Sequence, residues 1–477
     1  MKVFGLFLVL VLITASSALA QHPLSVIEPC PCLMKVDSRL KTKCGYLVVP
    51  ENRQKPRGNK VKIPFVFARQ PQQDSTQNIT LYTTGGPGYA TIPVGDSLTY
   101  RSGWLDFGGI LLFDQRGTKN AVPCLDCEGI DEAIKNAYLR HRSKDSLVAL
   151  AVTKCRKKLI KQGIDLSAYN TVESAADIKD LKEALKIDSL TLLGISYSGG
   201  LMLTVARNHP NGIKSLLLNS PLPGYVNYEE HALFNHEEAL NYLFDNLAAD
   251  SVQNARFPNL KQRYREYFTQ ISGKKFQIVF QETANQPKHT LLYSKNELLD
   301  AIFDRLTTSE YQKVPEVIAD LVSGQHEKYV QQVLRGKFSG NKSLSYGMRL
   351  SVYCSEQIAF SNPEKIKEQD KILPWLAGYP FNNVNHPICA CWQVQPAPRY
   401  VKTPVYSSIP ALISAGALDP WTRPFYNRLI KRTMPQAQLL LIKDKAHGAG
   451  FGNELINRFI ANPHKNLIST SANVVVE

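Results

Sequence analysis

Residues 190–200 read Leu-Thr-Leu-Leu-Gly-Ile-Ser-Tyr-Ser-Gly-Gly, and no other stretch of this 477-residue chain limits the fold so tightly. Leu190–Leu193 suits a short buried strand, and an apolar run from Leu201 to Val205 leads on to Pro210. Gly194-Ile195-Ser196-Tyr197-Ser198 must turn the chain between the two. A turn this sharp tolerates only small residues two before and two after its apex. With Ser196 at the apex, those positions hold Gly194 and Ser198. A serine raised on a strand–turn–helix corner is placed to act as a nucleophile. Ser198 also qualifies, since Ser196 and Gly200 flank it. Gly194, where the turn bends hardest, favours Ser196. A glycine-rich turn with incidental serines would use the same letters, so the rest of the chain must decide.

The length accommodates one large core with an insertion, or two domains. Lys2, the apolar run Phe4–Ile13 and Ala18-Leu19-Ala20 form a charged start, an apolar middle and an A-x-A end. Residues 1–20 are therefore read as a cleaved secretory signal peptide, which makes the mature protein secreted or periplasmic. No cysteine follows the cut to carry a lipid, and no later apolar run is long enough for a membrane span. Export makes disulfides the expected state of the nine cysteines. Short separation favours Cys30 or Cys32 with Cys44, and Cys124 or Cys127 with Cys155. An odd number leaves at least one thiol in a monomer. Cys124/Cys127 and Cys389/Cys391 lack a second pair at zinc spacing, so neither a metal nor a cofactor is expected. The net charge of +15 has no nucleic-acid motif beside it, and Lys154–Lys158 reads as a solvated helix face. No nucleic-acid partner is expected.

Four more strands are predicted to end in loops with chemical potential. Val61–Ala68 is β-prone, with Pro64 arguing for an edge position. Ile79–Thr83 runs into Thr84-Gly85-Gly86-Pro87-Gly88, and Ile110–Phe113 into Asp114-Gln115-Arg116-Gly117. The glycine spacing rules out a phosphate loop. Backbone amides in such a loop can instead face a developing oxyanion. Apolar residues at Ala175, Ile178, Leu181 and Leu185 give Thr171–Leu185 one helical face. Ser215–Leu218 is the next strand. From about 225 to 400 amphipathic helical stretches dominate, including His231–Leu247 and Asn296–Leu306. The expected organisation is a core at 21–224, a mainly helical cap at 225–400, and the rest of the core at 401–477. Strands return at Val405–Ser414, before Ala415-Gly416-Ala417-Leu418-Asp419-Pro420, and at Gln438–Ile442, before Asp444-Lys445-Ala446-His447-Gly448.

A serine hydroxyl needs a base to take its proton, and the base needs a third group to orient it. Ser196, Asp419 and His447 each lie just beyond a predicted strand, in the serine–acid–histidine order of α/β-hydrolases. Other histidines fit less well: His141, His209, His231 and His236 come early or lie in helical stretches, and His464 falls past the last strand. Asp444 competes with Asp419, but its place three residues before His447 suits the surface of the same loop.

Gly85-Gly86-Pro87-Gly88, Asp114-Gln115-Arg116-Gly117, Gly194-Ile195-Ser196-Tyr197, Asp419-Pro420-Trp421-Thr422 and His447-Gly448 together resemble the prolyl iminopeptidase / tripeptidyl aminopeptidase family. Cys44-Gly45, Val49–Arg53, Tyr169-Asn170-Thr171 with Asp177, Cys354-Ser355-Glu356 and Cys391-Trp392 resemble its secreted tripeptidyl aminopeptidase branch. The resemblance implies an α/β-hydrolase fold with a mostly parallel sheet and a large helical cap. It also implies an oxyanion hole from the amides of Gly86 and Tyr197, and a pairing of Cys354 with Cys389 or Cys391. Thr84 stands where the family usually has histidine, and Ser198 where it usually has glycine. The implied activity is that of an exported serine aminopeptidase acting on peptide substrates through an acyl-enzyme. A cap carboxylate would hold the substrate amine, with Glu356 ahead of Glu229 and Glu230. An esterase or lipase with the same triad is the alternative, and an inactive hydrolase-fold binding protein a further one. Oligomeric state is left open.

Overall fold

The computed structural model describes residues 25–380 and 382–477, so the segment read as a signal peptide lies outside the described residues. Ten strands form one sheet: β1 (Val26–Pro29), β2 (Lys41–Pro50), β3 (Lys60–Arg69), β4 (Ile79–Thr83), β5 (Gly109–Phe113), β6 (Leu190–Ile195), β7 (Ile213–Asn219), β8 (Ala411–Gly416), β9 (Ala437–Ile442) and β10 (Val474–Val476). Their order across the sheet is β1-β2-β3-β5-β4-β6-β7-β8-β9-β10. The six strands from β5 to β9 are parallel, and antiparallel strands finish both edges. The expected α/β-hydrolase fold with a mostly parallel sheet is present.

The central strand β6 is buried on both faces, which is why it reads as a continuous apolar run. Leu190 and Leu192 pack into the main core with Leu201 and Met202, whereas Leu193 joins Leu217, Leu412 and Phe459 on the opposite face. Thr171–Ala184 forms helix α1, and Tyr197–Asn208 forms helix α2 directly after the turn. A second apolar core gathers residues between Leu233 and Leu376, such as Leu240, Phe268, Ile302 and Leu334, and reaches the sheet through Leu418 and Ala446. This region is mainly helical, and it also contains a hairpin of Lys275–Phe280 with His289–Ser294.

Two local expectations need correction. β3 lies inside the sheet, between β2 and β5, not at an edge. Its Pro64 carbonyl accepts from Asp114 N, just past Phe113, the last β5 residue paired with it. The missing N–H of Pro64 faces that same side, at the end of the ladder, so the proline costs the sheet only the one reciprocal bond to Asp114. The strand expected at Val405–Ser414 begins only at Ala411, after Pro410.

Disulfides join Cys32 to Cys44, Cys127 to Cys155 and Cys354 to Cys389, with Cα–Cα separations of 5.2, 5.6 and 5.3 Å. Cys30, Cys124 and Cys391 remain thiols. Such bridges fit an oxidising compartment. No helix of the described residues is long and apolar enough to cross a membrane.

The Asp114–Gly117 loop after β5 is anchored by a fully buried ion pair. Arg116 grips Asp177 of α1 with two bonds of 2.7 Å, and donates to the carbonyls of Glu51 at 2.5 Å and Ala168 at 2.8 Å. Arg53 joins from the surface, bonding Glu173, Asp177 and Asp180. Burial pushes the Asp177 carboxyl up, but Arg116 and Arg53 outweigh it and hold it below the usual carboxylate range. Removing either partner takes away the two-bond grip in the core and leaves the other to an outer member of the network, Arg53 for Asp177 or Glu173 at 3.5 Å for Arg116. Arg116→Met and Asp177→Ala should each lower unfolding stability by about 3–5 kcal/mol in urea titrations. A loss under about 1 kcal/mol would mean that Arg53, Glu173 or water takes over the remaining charge.

Candidate active site

The corner after β6 is strained in the way the sequence demands. Ser196 sits at φ 57°, ψ −123°, a backbone region costly for a residue with a Cβ. Its N–H donates to the Asn219 carbonyl at the end of β7 at 3.0 Å. Side chains are excluded around it: a Cβ on Gly194 would lie 2.5 Å from the Ser198 carbonyl oxygen, and one on Gly85 2.5 Å from that of Ile195. Gly199 and Gly200 press equally closely on Pro221 and Leu222.

Ser196 lines a cavity of about 440 Å³, and Ser198 does not. The Ser198 hydroxyl is buried in a different task. It accepts from Ile195 N at 2.8 Å and lies 2.7 Å from the Thr83 carbonyl, tying the corner to the end of β4. This explains how a serine replaces the usual glycine there.

His447 and Asp419 meet at the cavity edge, His447 Nδ1 to Asp419 Oδ2 at 2.9 Å. The arrangement puts the Nδ1 proton towards Asp419 and leaves Nε2 for other chemistry. Asp419 is fully buried. Its Oδ1 accepts from the Trp421 and Thr422 amides at 2.8 and 2.9 Å, and its Oδ2 from the Thr422 hydroxyl at 2.6 Å. Burial pushes this carboxyl up, but the charge of His447 and these donors prevail and hold it below its usual range. Asp444 instead faces Asn473, at 3.1 Å, on the surface.

Gly86 and Tyr197 line the same cavity. Tyr197 opens α2, where amides have no partner within the helix. A Cβ on Gly85 would lie 3.4 Å from Tyr197 N, so the Gly85-Gly86 segment runs directly beside that amide. Gly86 adopts φ 117°, a conformation suited to glycine.

The sequence alone assigns no role to several positioning residues, although Thr422 and Gly448 stand in the family-like motifs. Thr422 bridges Asp419 and His447, with its hydroxyl 3.2 Å from His447 Nδ1. Arg423 holds the acid loop by its Ala417 and Asp419 carbonyls, at 2.7 and 3.1 Å. The His447 loop hangs on β7: Gly448 N donates to Ser220 Oγ and Gly450 N to Asn219 Oδ1, both at 3.1 Å. Tyr346–Glu356 forms helix α3, which brings Arg349 and Tyr353 to the cavity.

The ranking of acidic residues in the cap also changes. Glu356 is turned inwards, accepting from the Thr171 amide and hydroxyl at 2.6 Å each, where it caps α1. It does not line the cavity. Glu230 is engaged by Asn362 N and Lys365. Glu229 is half-buried, and its side chain accepts one bond among the described residues, from Asn382 Nδ2 at 2.9 Å. Burial pushes its carboxyl up to about 7, against the lowering effects of Asn382 and Arg349. Asn382, Arg349 and Tyr228 all line the cavity beside it.

The sequence profile of the α/β hydrolase fold family matches residues 110–454, and the chain belongs to that family. Its catalysis is therefore of the hydrolase class. Serine protease Hip1 of Mycobacterium tuberculosis is 21% identical over 445 residues, covering 87% of this chain and 84% of the relative. The tripeptidyl aminopeptidase of Streptomyces lividans is 24% identical over 193 residues, 37% of this chain and 35% of that protein. An α/β fold family hydrolase of Bacillus anthracis covers 88% of this chain and 98% of its own at 12% identity, with a TM-score of 0.38.

The tie made by Ser198 is open to a direct check. Ser198→Ala leaves the Ile195 amide without its acceptor, and should cost about 1–3 kcal/mol in chemical denaturation. An unchanged midpoint would mean that water takes the place of the hydroxyl.

Proposed function

We propose that the protein is an exported serine aminopeptidase whose nucleophile is Ser196, with His447 as general base and Asp419 orienting it. The observation that carries this reading is that Ser196 and His447 line one cavity, with Asp419 behind His447 and Glu229 close behind the wall. Distant similarity to a serine protease and a tripeptidyl aminopeptidase supports it. In this reading His447 Nε2 takes the Ser196 proton as Oγ attacks the peptide carbonyl. The oxygen of the tetrahedral intermediate is met by the amides of Gly86 and Tyr197, the latter at the positive end of α2. His447 then protonates the leaving amine, and later activates the water that clears the acyl-enzyme. The substrate's ammonium group is met by Glu229, because a cation taken from water into this cavity needs a carboxylate to offset its desolvation. The segment 225–400 acts as a cap that admits chain ends, and residues 1–20 as the export signal.

Three substitutions test the chemistry. Ser196→Ala should abolish both turnover and labelling by a fluorophosphonate. Asp419→Asn should lower kcat by about 10⁴, because His447 loses its orientation and its charge partner. Asp444→Asn should leave kcat within about threefold, as expected for a surface side chain. A labelled Ser196→Ala protein would remove Ser196 from its role, and a wild type that never labels would favour the binding-protein alternative.

Glu229 sets a pH signature. Its carboxyl sits at about 7, above the ordinary range, so the folded protein holds this proton until the pH rises through about 7. The ionised form is the one that attracts an ammonium group. KM for free-amine peptides should therefore fall as pH rises through about 7, until the substrate amine itself loses its proton near pH 8. N-acetylated peptides should be poor substrates, and Glu229→Gln should flatten the KM profile. Equal turnover of free and acetylated peptides would count against the aminopeptidase reading, and activity confined to short nitrophenyl esters would favour an esterase.

A further inference from the structure

The cavity at Ser196 has one permanently charged side chain in its lining, the guanidinium of Arg349 on helix α3. Most of its surroundings are apolar or aromatic, including Leu344, Leu350 and Tyr353. Arg349 lies over the Tyr353 ring, 4.9 Å from its centroid, and its NH1 donates to the Gly86 carbonyl at 3.0 Å. No ion pair forms between Arg349 and any described carboxylate. A guanidinium offers five N–H donors in a flat fork, and one described bond leaves most of that capacity open. Half-buried charge in such a setting is costly without a partner.

The bond to Gly86 fixes where that capacity lies. Gly86 is the residue whose amide would face the reacting carbonyl, so Arg349 stands within about one residue's reach of the bond to be cut. Glu229 lies close enough to feel the charge of Arg349. The cavity thus has an acidic group behind its wall, Glu229, and a separate basic group in its lining, Arg349, free to meet something anionic.

We infer that Arg349 forms an anionic subsite of the Ser196 cavity, which selects peptide substrates carrying a carboxylate next to the scissile bond. The inference rests on the peptidase reading and narrows its substrate class. A carboxylate suits a guanidinium because two parallel N–H···O bonds can form at once. Two sources present that group there: an Asp or Glu side chain beside the scissile bond, or the terminal carboxylate of a peptide with one residue beyond it. If Arg349 serves only to hold the Gly86 loop, it is a positioning residue and shows no preference for charge.

Matched peptides separate these cases. In Ser196→Ala protein, calorimetric titration compares Ala-Ala-Glu-Ala amide with Ala-Ala-Gln-Ala amide, and Ala-Ala-Ala-Ala free acid with its amide. At least one acid should bind about tenfold more tightly than its neutral partner, and the pair that does so identifies the source. Adding Arg349→Gln should bring that ratio close to one, and Arg349→Lys should retain part of it. In active enzyme, kcat/KM ratios for the same pairs should follow, alongside nitrophenyl hemisuccinate against nitrophenyl butyrate. Equal binding of every acid and its neutral partner would overturn the subsite, as would a preference that survives Arg349→Gln. A uniform loss on acidic and neutral substrates, with their ratio unchanged, would reduce Arg349 to a support for Gly86. If no peptide is cut but hemisuccinate is preferred through Arg349, the subsite stands and the peptidase reading falls.

Discussion

The whole site hangs on one residue held where few residues rest, Ser196 at φ 57°, ψ −123°. A backbone there costs on the order of 1–3 kcal/mol and persists only when its surroundings leave no alternative. Two observations supply that constraint. The Ser196 amide is tied to Asn219 at the end of β7, and glycines at 85, 194, 199 and 200 let neighbouring backbone press in from several sides. Asn219 and Ser220 also hold the amides of Gly450 and Gly448, directly after His447 in its loop. The end of one strand therefore sets both the corner and the histidine. A shift in β7 would move the two together, which keeps their relation constant.

Parallel strands explain why so much of this arrangement could be read from the chain. Each of Ser196, Asp419 and His447 follows a short apolar run, and such runs are visible because β6, β8 and β9 are buried in the sheet. The carboxyl ends of neighbouring parallel strands lie side by side, so residues far apart in sequence arrive at one place. Groups reaching the cavity from helices gave no such signal. Arg349 lies in an ordinary amphipathic helix, and Tyr353 one turn further along the same helix is no more conspicuous. Glu356 and Glu229 are indistinguishable by type, and their roles separate only when α1 is seen to end against Glu356. Pro64 shows the opposite error, a sound rule about edges applied without knowing where the neighbouring strand stops. The choice of Cys32 over Cys30, or of Cys389 over Cys391, is a matter of which sulfur faces its partner, and sequence spacing is nearly blind to that.

Burial acts on the acidic groups of the site in one direction, and their partners decide the result. Asp419 and Glu229 both lose water, which disfavours the ionised form of each. Asp419 gains His447, the Thr422 hydroxyl and two backbone amides, and its carboxyl falls below its usual range. Glu229 gains only the Asn382 amide and the charge of Arg349, and its carboxyl rises to about 7. One carboxyl is saturated by groups the fold supplies, whereas the other is left short of donors. A saturated group is settled and serves to orient its neighbour. A group short of donors gains most from an incoming cation, since binding supplies the interaction that the fold withholds. The same reasoning applies with opposite sign to Arg349, whose one described hydrogen bond leaves most of its donors open. An apolar cavity lined by Arg349 and backed by Glu229 thus has two under-satisfied groups of opposite charge near Ser196.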